Sequence, residues 1–539
     1  MSLDLLFKGA LVVDGTGAPG RLADVGVRGA RIAEVGRLSG SDARRVVDAD
    51  GLVLCPGFVD VHTHSDFTLP RHPRALSMTS QGVTTQVVGN CGFSPFPLGA
   101  DGGELLKEYS GFLDSGLPWG TWSTVEDYLA LLGRLPLAGN VACQVGLGSV
   151  RMAVMGFDGG PPDDDQLDRM RTLIAEAMTA GAVGISSGLT YAPSSAATTE
   201  ELIALAEVAA GFAGAFYSTH IRNEAITLVE AVEEALVIGR RAGVPVQLSH
   251  HKAMGRDNWG KIETTLALVD QARSDGQDVT MDQYPYTAGS TGLAVILPRW
   301  ALADGAKGMQ FRLGDTDTRE RIREQISAQR PADLLAGLRE FDADAVVVAE
   351  VPEGPLEQYV GMSLREVAAT RRQDPVDAAL DLLRETGGEV LTVVHGQSEE
   401  NLRRILLHPQ TMVASDGWTL SPEVEGRPHP RSYGTFSRVL GKYVREEGLL
   451  SLEEAVRKMT SLPAARVGLP DRGQVRTGWA ADLVLFDPSR VRDRATFASP
   501  HQFSEGVAMV LVGGTAVVDG AVDTGAVAGR VLRRGQATP

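Results

Sequence analysis

Metal-ligating side chains follow short apolar segments at several points along the sequence. His62 and His64 end the segment GFVDVHTHSD and share one face of a strand, because side chains alternate along extended backbone. Other candidates close four later segments: Cys91 (TTQVVGNCG), His220 (AFYSTH), His250 (VPVQLSH) and Asp416 (TMVASD). Thiolate, imidazole and carboxylate groups are the ligands that zinc prefers in proteins. One His-x-His pair or one buried cysteine is equally compatible with ordinary packing, but their recurrence predicts a metal site.

Strand-like and helical segments alternate between residues 57 and 416, which is typical of a parallel sheet built from βαβ units. Helical runs such as 164–180 and 226–242 have apolar residues at three- and four-residue spacing. There are eight apolar runs, most of which end in chemically active residues, namely 57–64, 84–91, 141–148, 182–188, 215–220, 244–250, 278–284 and 411–416. Eight strands predict a (β/α)8 TIM-like barrel, whose active site lies at the carboxyl ends of the strands. We therefore expect the candidate ligands to converge at one mouth of the barrel.

The two ends of the chain share a different pattern, in which short alternating strands are separated by turn dipeptides. The segments ALVVDG (10–15) and TAVVDG (515–520) are near copies of each other. Because isolated hairpins bury too little surface to be stable, we expect residues 1–56 and 470–539 to build one small β-sandwich domain together.

Residues 57–469 are expected to form the catalytic barrel, with an insertion or lid at about 287–410. This interval is too long for a single connection and contains helical segments of its own. Its two apolar runs, 345–351 and 389–395, could alternatively be barrel strands, which leaves the strand order open.

Charge and cysteine content exclude several classes of function. The chain of 539 residues has 51 basic and 68 acidic residues, a net charge of −17 that repels nucleic acid and anionic membranes. Three cysteines cannot form a disulfide framework and favour a reducing compartment. No targeting segment or apolar run of spanning length is evident. We expect a cytoplasmic protein that acts on a small molecule; the oligomeric state is not indicated.

Longer motifs carry a family resemblance that runs from about Lys8 to Arg534. These motifs are GFVDVHTHSDF, QGVTTQVVGNCGFSP, GISSGLTYAP, THIRNE, SHHKAMG, DQYPYTAGST, SDGW and HPRSYGTFSRVLGKYVRE. Together they resemble the N-acyl-D-amino-acid deacylases (D-aminoacylases) of the amidohydrolase superfamily. The resemblance implies a zinc-dependent enzyme that hydrolyses the amide bond of N-acyl-D-amino acids to a carboxylate and a free D-amino acid.

The resemblance also implies a division of the metal ligands. Cys91, His220 and His250 match a tightly bound zinc, whereas His62, His64 and Asp416 match a second position that is weakly occupied or vacant. The fourth strand-like run, AVGISSGLTYAP, has no lysine, which disfavours a carbamate-bridged pair of metals. Asp416 is the expected general base for a metal-activated water, although a carboxylate here could instead orient a histidine.

Cationic and hydroxyl side chains are expected to bind the free carboxylate of the substrate. Lys252 follows a ligand histidine by two residues and shares its strand face, and Arg427 matches the carboxylate-binding arginine of the family. Tyr284 and Ser290 match family hydrogen-bond donors to the same group, and Arg431 is an alternative cation. For each cation, the alternative interpretation is a solvated surface charge.

Two other functions remain to be weighed. A cyclic-amide hydrolase, resembling hydantoinases and dihydroorotases, would have the same fold, but the missing lysine and the presence of Cys91 weigh against it. A catalytically inactive scaffold is disfavoured because every expected ligand is present. The side-chain preference of the substrate is not indicated by the sequence.

Overall fold

The computed structural model describes residues 2–38, 42–101, 103–113, 116–327, 342–423 and 426–537. The strands are β1 (Leu3–Val12), β2 (Arg21–Arg28), β3 (Arg31–Gly36), β4 (Ala43–Asp48), β5 (Val53–Pro56), β6 (Phe58–Asp60), β7 (Val83–Val88), β8 (Asn140–Cys143), β9 (Val145–Gly146), β10 (Gly184–Gly188), β11 (Phe216–His220), β12 (Val246–Leu248), β13 (Val279–Gln283), β14 (Ala288–Gly292), β15 (Val346–Glu350), β16 (Leu391–His395), β17 (Thr411–Val413), β18 (Leu483–Phe486), β19 (Val507–Val512), β20 (Thr515–Asp519), β21 (Val522–Asp523) and β22 (Val531–Leu532).

The helices lie mainly between these strands. They are α1 (Leu76–Thr79), α2 (Glu104–Tyr109), α3 (Val125–Arg134), α4 (Leu147–Met155), α5 (Asp164–Thr179), α6 (Thr199–Ala210), α7 (Leu228–Ala242), α8 (Lys261–Ser274), α9 (Gly305–Gly314), α10 (Thr316–Ser327), α11 (Leu364–Arg371), α12 (Pro375–Thr386), α13 (Glu399–Leu407), α14 (Arg431–Arg438), α15 (Leu452–Met459) and α16 (Ser461–Val467). A π-helical segment, Val439–Glu446, continues α14. None of the described helices combines the length and the hydrophobicity needed to cross a membrane.

Two parallel sheets carry the strands that precede the candidate ligands. One has the order β17-β13-β12-β11-β10-β9 and the other β22-β8-β7-β6. Only Gln144 separates β8 from β9, so one interrupted strand links the two sheets. On the opposite side, an isolated parallel bridge joins Thr63 to Gly417, just beyond β6 and β17. This mixed α/β arrangement is consistent with the predicted barrel, but the hydrogen-bonded sheets of the described residues do not close into one ring.

Helix packing positions the strands beneath the site. Helix α5 begins at the N-cap Asp163, whose side chain and that of Gln166 satisfy each other's backbone amides in a capping box. Helix α7 packs closely on β12, because Gly239 has no side chain: a Cβ atom there would lie 2.1 Å from a methyl group of Val246. This close approach fixes the strand that leads to His250.

Both chain ends contribute to a nine-stranded sheet with the order β21-β20-β19-β18-β5-β1-β2-β3, in which β4 also pairs with β1. The antiparallel pair β18 and β5 joins the C-terminal strands to the N-terminal ones. The last strand departs from this pattern, since β22 pairs in parallel with β8 of the other sheet.

The interval at about 287–410 contains a separate antiparallel sheet, with the order β14-β16-β15. The two apolar runs that were alternative barrel strands, now β15 and β16, pair with each other, and β16 also pairs with β14. Helices α9 to α12 surround a core of their own, which includes Leu293, Val348, Leu364 and Leu383. Residues 328–341 of this interval lie outside the described residues.

Candidate active site

A deep cavity lies beyond the carboxyl ends of the parallel strands and encloses about 1060 Å³, including the part open to solvent. Several candidates from the sequence line it, namely His64, Cys91, His220, His250, Lys252, Tyr284, Ser290, Asp416 and Arg431. His62 is fully buried and contacts Cys91, with 3.2 Å between its Nε2 atom and Sγ. The structure thus brings all six candidate ligands to one place.

The thiol, imidazole and carboxylate groups form one tight cluster. Cys91 Sγ lies 3.2 Å from His62 Nε2 and 3.4 Å from His250 Nε2. Asp416 Oδ1 lies 3.3 Å from the Nε2 atoms of both His62 and His64. The ligand atoms of His62, Cys91, His250 and Asp416 are all within 4.8 Å of one another, which is close enough to hold a metal ion.

A second group consists of His220, Glu224 and His250, whose ligand atoms also lie within 4.8 Å of one another. Glu224 Oε1 lies 3.0 Å from His250 Nδ1, 3.9 Å from His220 Nε2 and 2.5 Å from Lys252 Nζ. The sequence analysis did not identify Glu224. The sequence offers only one indication of its role: Glu224 is an acidic residue four positions after the candidate ligand His220. The segment that contains it has no regular secondary structure.

Unusual backbone conformations occur at three of the candidate ligands. The φ angle is 53° at Cys91, 36° at His250 and 50° at Asp416, and each residue lies just beyond the end of its strand. Non-glycine residues rarely adopt this left-handed region, and such strain is concentrated at functional sites. The backbone of Cys91 packs directly against Gly188 of β10. A Cβ atom at residue 188 would lie 1.9 Å from the Cys91 carbonyl oxygen, so only glycine allows this close approach.

The carboxylate of Asp282 contacts two of the candidate histidines, His62 and His250. Its Oδ1 atom lies 3.1 Å from His62 Nδ1 and accepts a 2.8 Å hydrogen bond from the backbone amide of His250. Gln247 Nε2 donates to the other oxygen at 2.6 Å. When Nδ1 of His62 donates to this carboxylate, the lone pair of Nε2 faces Cys91 and Asp416, an arrangement that is typical of metal-binding histidines.

The electrostatics of the cluster favour ionised ligands. Burial raises the pKa of the Cys91 thiol, but the neighbouring imidazoles of His62 and His250 outweigh burial and hold that pKa well below its usual value. Burial likewise raises the pKa of Asp416, and the Arg431 guanidinium and His62 lower it well below its usual range. A thiolate and a carboxylate surrounded by imidazoles are suitable donors for a metal cation.

The residues predicted to bind the substrate carboxylate differ in whether they already have a partner. Lys252 lines the cavity but is already paired with Glu224. Tyr284 accepts a 2.7 Å hydrogen bond from Gln397 Nε2, which leaves its own hydroxyl proton free to be donated. Ser290 lines the cavity, and its buried Oγ atom has no hydrogen-bond partner among the described residues.

The two candidate arginines are separated by the fold. Arg431 is buried, lines the cavity and donates from Nη1 to Asp416 Oδ2 at 2.6 Å. Arg427 is exposed and does not line the cavity; its guanidinium lies against the backbone of Gly361, where a Cβ atom would be 2.2 Å away. The role of Arg427 in binding the substrate therefore stays a prediction.

Comparison with known proteins assigns the chain to a family. The model described as "Amidohydrolase family" matches residues 45–518, so the chain belongs to the amidohydrolase family. D-aminoacylase from Alcaligenes xylosoxydans xylosoxydans is 41% identical over 531 residues, which cover 98% of each chain. N-acyl-D-glutamate deacylase from the same organism is 40% identical over 537 residues, which cover 99% of this chain and 97% of the relative.

A solved structure agrees with these relatives. The crystal structure of N-acyl-D-glutamate deacylase from Bordetella bronchiseptica, complexed with zinc and a phosphonate mimic of the tetrahedral intermediate, is 37% identical. It matches with a TM-score of 0.83 and covers 99% of this chain and 100% of that chain. The resemblance predicted from the motifs is confirmed, and the protein is an amidohydrolase.

Proposed function

We propose that the protein hydrolyses the amide bond of N-acyl-D-amino acids, releasing a carboxylate and a free D-amino acid. The observation that carries this proposal is one cavity in which a thiol, imidazoles and Asp416 lie beside polar groups suited to a carboxylate. The full-length similarity to a D-aminoacylase and to an N-acyl-D-glutamate deacylase supports both the linear amide substrate and the D configuration.

The donor set fits zinc, because thiolate and imidazole ligands are typical of that metal. Cys91, His220 and His250 would hold the tight ion, and His62, His64 and Asp416 would form the second position, weakly occupied or vacant. Bound zinc supplies a Lewis acid that polarises an amide carbonyl and lowers the pKa of water. The zinc of the Bordetella bronchiseptica relative supports this choice of metal.

Asp416 is suited to act as the general base. Arg431 holds its Oδ2 atom at 2.6 Å, which fixes the carboxylate and leaves Oδ1 directed toward His62 and His64. Because the pKa of Asp416 lies well below its usual range, the carboxylate is ionised at neutral pH. We assign to Oδ1 the acceptance of a proton from water and its transfer to the leaving nitrogen.

The hydroxyl groups of Tyr284 and Ser290 are suited to donate to the α-carboxylate of the substrate. Lys252 and Arg431 add positive potential, but each is already paired with an acid, Glu224 or Asp416. A further cation is therefore needed, and Arg427, eleven residues after the general base, is the proposed one. The proposal requires its side chain to turn from Gly361 toward the cavity when substrate binds.

An apolar substrate side chain fits the cavity better than an acidic one. Much of the wall is apolar, including Phe93, Met254, Leu293, Val295, Ile296, Val346, Val394 and Trp418. Lys252 and Arg431 are the only lysine or arginine side chains among the described lining residues, and both are paired. A carboxylate on the side chain would find no cation of its own and would remain incompletely solvated.

We also propose that the two parallel sheets, apart from β22, form the wall of a (β/α)8 barrel spanning residues 57–469. The bridge between Thr63 and Gly417 supports closure of the wall at the site. Residues 1–56 and 470–539 would form the small β-domain, apart from β22. The cysteines, all buried and none in a disulfide, are compatible with the proposed location in the reducing cytoplasm.

A substrate screen with metal analysis tests the proposal. The protein is assayed on N-acetyl-D- and N-acetyl-L-amino acids and on a hydantoin, with zinc quantified in each preparation. We expect turnover of apolar D substrates by zinc-loaded protein, and loss of turnover in Asp416→Asn even when zinc is restored in excess. Hydantoin as the preferred substrate would instead support the cyclic-amide function, and normal activity of Asp416→Asn would remove Asp416 from the role of base.

A further inference from the structure

A second cavity of about 790 Å³, including the part open to solvent, adjoins the first one. We propose that it receives the acyl chain of the substrate, so that the enzyme accepts neutral apolar acyl groups much longer than acetyl. This inference rests on the proposed deacylase function and extends it to the identity of the released carboxylic acid.

An aromatic layer separates this second cavity from the metal-binding side chains. Phe93, Phe112 and Tyr191 line both cavities. The ring of Phe93 lies 5.4 Å from that of Phe112 and 4.9 Å from that of Tyr191, measured between centroids. Phe93 follows Cys91 by two residues, and the Tyr191 ring lies 5.1 Å from that of His220. The Tyr191 ring thus both lines the second cavity and contacts His220, one of the proposed zinc ligands.

The covalent structure of the substrate determines which group can point there. The carbonyl carbon of an N-acyl amino acid carries the acyl chain on one side and the nitrogen, with the amino-acid part, on the other. Three of the candidates for binding the α-carboxylate, Lys252, Tyr284 and Ser290, line the first cavity, and none of them is among the described residues lining the second. With the carbonyl at the ligand cluster and the carboxylate at these groups, the acyl chain is directed toward the aromatic layer.

The proposal requires one side chain of this layer to turn aside, and we assign this movement to Phe112. Phe112 is half-buried in the short turn Gly111–Leu113. Its ring lies over Gly292, where a Cβ atom would be 3.3 Å from Cγ of the ring. Displacement of this ring joins the two cavities, and an acetyl group needs no such movement.

The lining of the second cavity selects for a neutral chain. Its apolar residues include Phe157, Ala294, Leu302 and Met309, and its acidic residues are Glu108 and Glu389. Glu108 accepts a hydrogen bond from the backbone amide of Ala306, which fixes this carboxylate at the cavity wall. An apolar chain gains binding free energy from each methylene group that it buries, whereas a chain ending in a carboxylate meets like charge at Glu108.

The test compares three substrates that differ only in the acyl group: N-acetyl-, N-octanoyl- and N-succinyl-D-leucine. With the zinc-loaded wild-type protein, we expect kcat/KM for the octanoyl substrate to equal or exceed that for the acetyl one. We expect the value for the succinyl substrate to be lower by about tenfold or more. The reverse order would overturn the inference without the use of any variant.

A filled cavity provides the second measurement. Ala294→Leu places a larger side chain in the second cavity, and Ala303→Leu is the matched control, because Ala303 is also half-buried but lines neither cavity. The ratio of octanoyl to acetyl kcat/KM should fall about tenfold in Ala294→Leu and keep its wild-type value in Ala303→Leu. An unchanged ratio in folded Ala294→Leu, or a change in the preferred amino-acid side chain instead, would refute the placement. If zinc-loaded wild-type protein hydrolyses none of the three, the deacylase function fails and this inference fails with it.

Discussion

The contacts of Glu224 lead to a specific prediction about the affinity of the protein for zinc. The Glu224 carboxylate lies 3.0 Å from Nδ1 of His250, a proposed zinc ligand, and is placed to orient that ring, in addition to pairing with Lys252 at 2.5 Å. Loss of a group that orients a ligand typically costs 10–100-fold in metal affinity, which corresponds to about 1.4 to 2.7 kcal/mol. Glu224→Gln preserves the shape of the side chain and removes its charge, so we expect a loss of affinity in this range.

The same change should destabilise the metal-free protein. Lys252 is only 8% exposed at its side chain, and Glu224→Gln leaves its charge without a partner anion. Removal of one partner from a buried ion pair costs about 3 to 5 kcal/mol. In the double variant Glu224→Gln/Lys252→Met neither charge remains, so its loss of stability should be smaller than the sum for the two single variants.

Two measurements separate these effects. Competition with a chelator gives the zinc dissociation constant, and urea unfolding of the metal-free protein gives the free energy of unfolding. We expect the double variant to recover stability but not zinc affinity, because His250 still lacks its carboxylate. Wild-type zinc affinity in Glu224→Gln would refute the orienting role of Glu224. If the double variant lost as much free energy of unfolding as the two single variants together, Glu224 and Lys252 would not stabilise each other.

Three other changes test separate features of the site and fold. Cys91→Ala should lose zinc on dialysis, as measured by elemental analysis, and an unchanged zinc content would remove Cys91 from the tight site. Arg427→Ala should raise KM for N-acyl amino acids about tenfold or more, with a smaller change in kcat; an unchanged KM would leave only Lys252 and Arg431 as cations for the carboxylate. Burial lowers the pKa of Lys458 from 10.5 to about 8. Between these two pH values the unfolded state binds the proton more tightly than the folded state, so the free energy of unfolding should increase as the pH rises. Measured by urea unfolding, the free energy of unfolding of the wild type should increase over this pH range by about 3 kcal/mol more than that of Lys458→Met. The same pH dependence in both proteins would contradict the shifted pKa.

Residues at strand ends were the most predictable part of the site. His62, His64, Cys91, His220 and Asp416 were identified because each follows an apolar run, and all of them lie at or beside the first cavity. The structure brings these residues together because the carboxyl ends of parallel strands face one side of a sheet, whatever the details of packing.

The role of Glu224 could not be predicted in this way. Its carboxylate acts on His250, which follows a different strand, and the segment that contains Glu224 has no periodic pattern. The left-handed conformations at Cys91 and His250 were equally invisible, since these residue types rarely adopt them without support from surrounding structure. Contacts between segments, rather than local sequence, create these features.

Sequence alone determined the family, the types of ligand and the alternation of strands and helices, because each depends on residue identity and on short-range spacing. Tertiary structure alone decided which basic side chains enter the cavity, placing Arg431 inside it and Arg427 at the surface. It also created the second cavity, whose wall combines the turn at Phe112, the segment at Ala294 and the helix at Met309. The physical reason is that a cavity is bounded by segments distant in sequence, so its shape and charge are set only when those segments pack together.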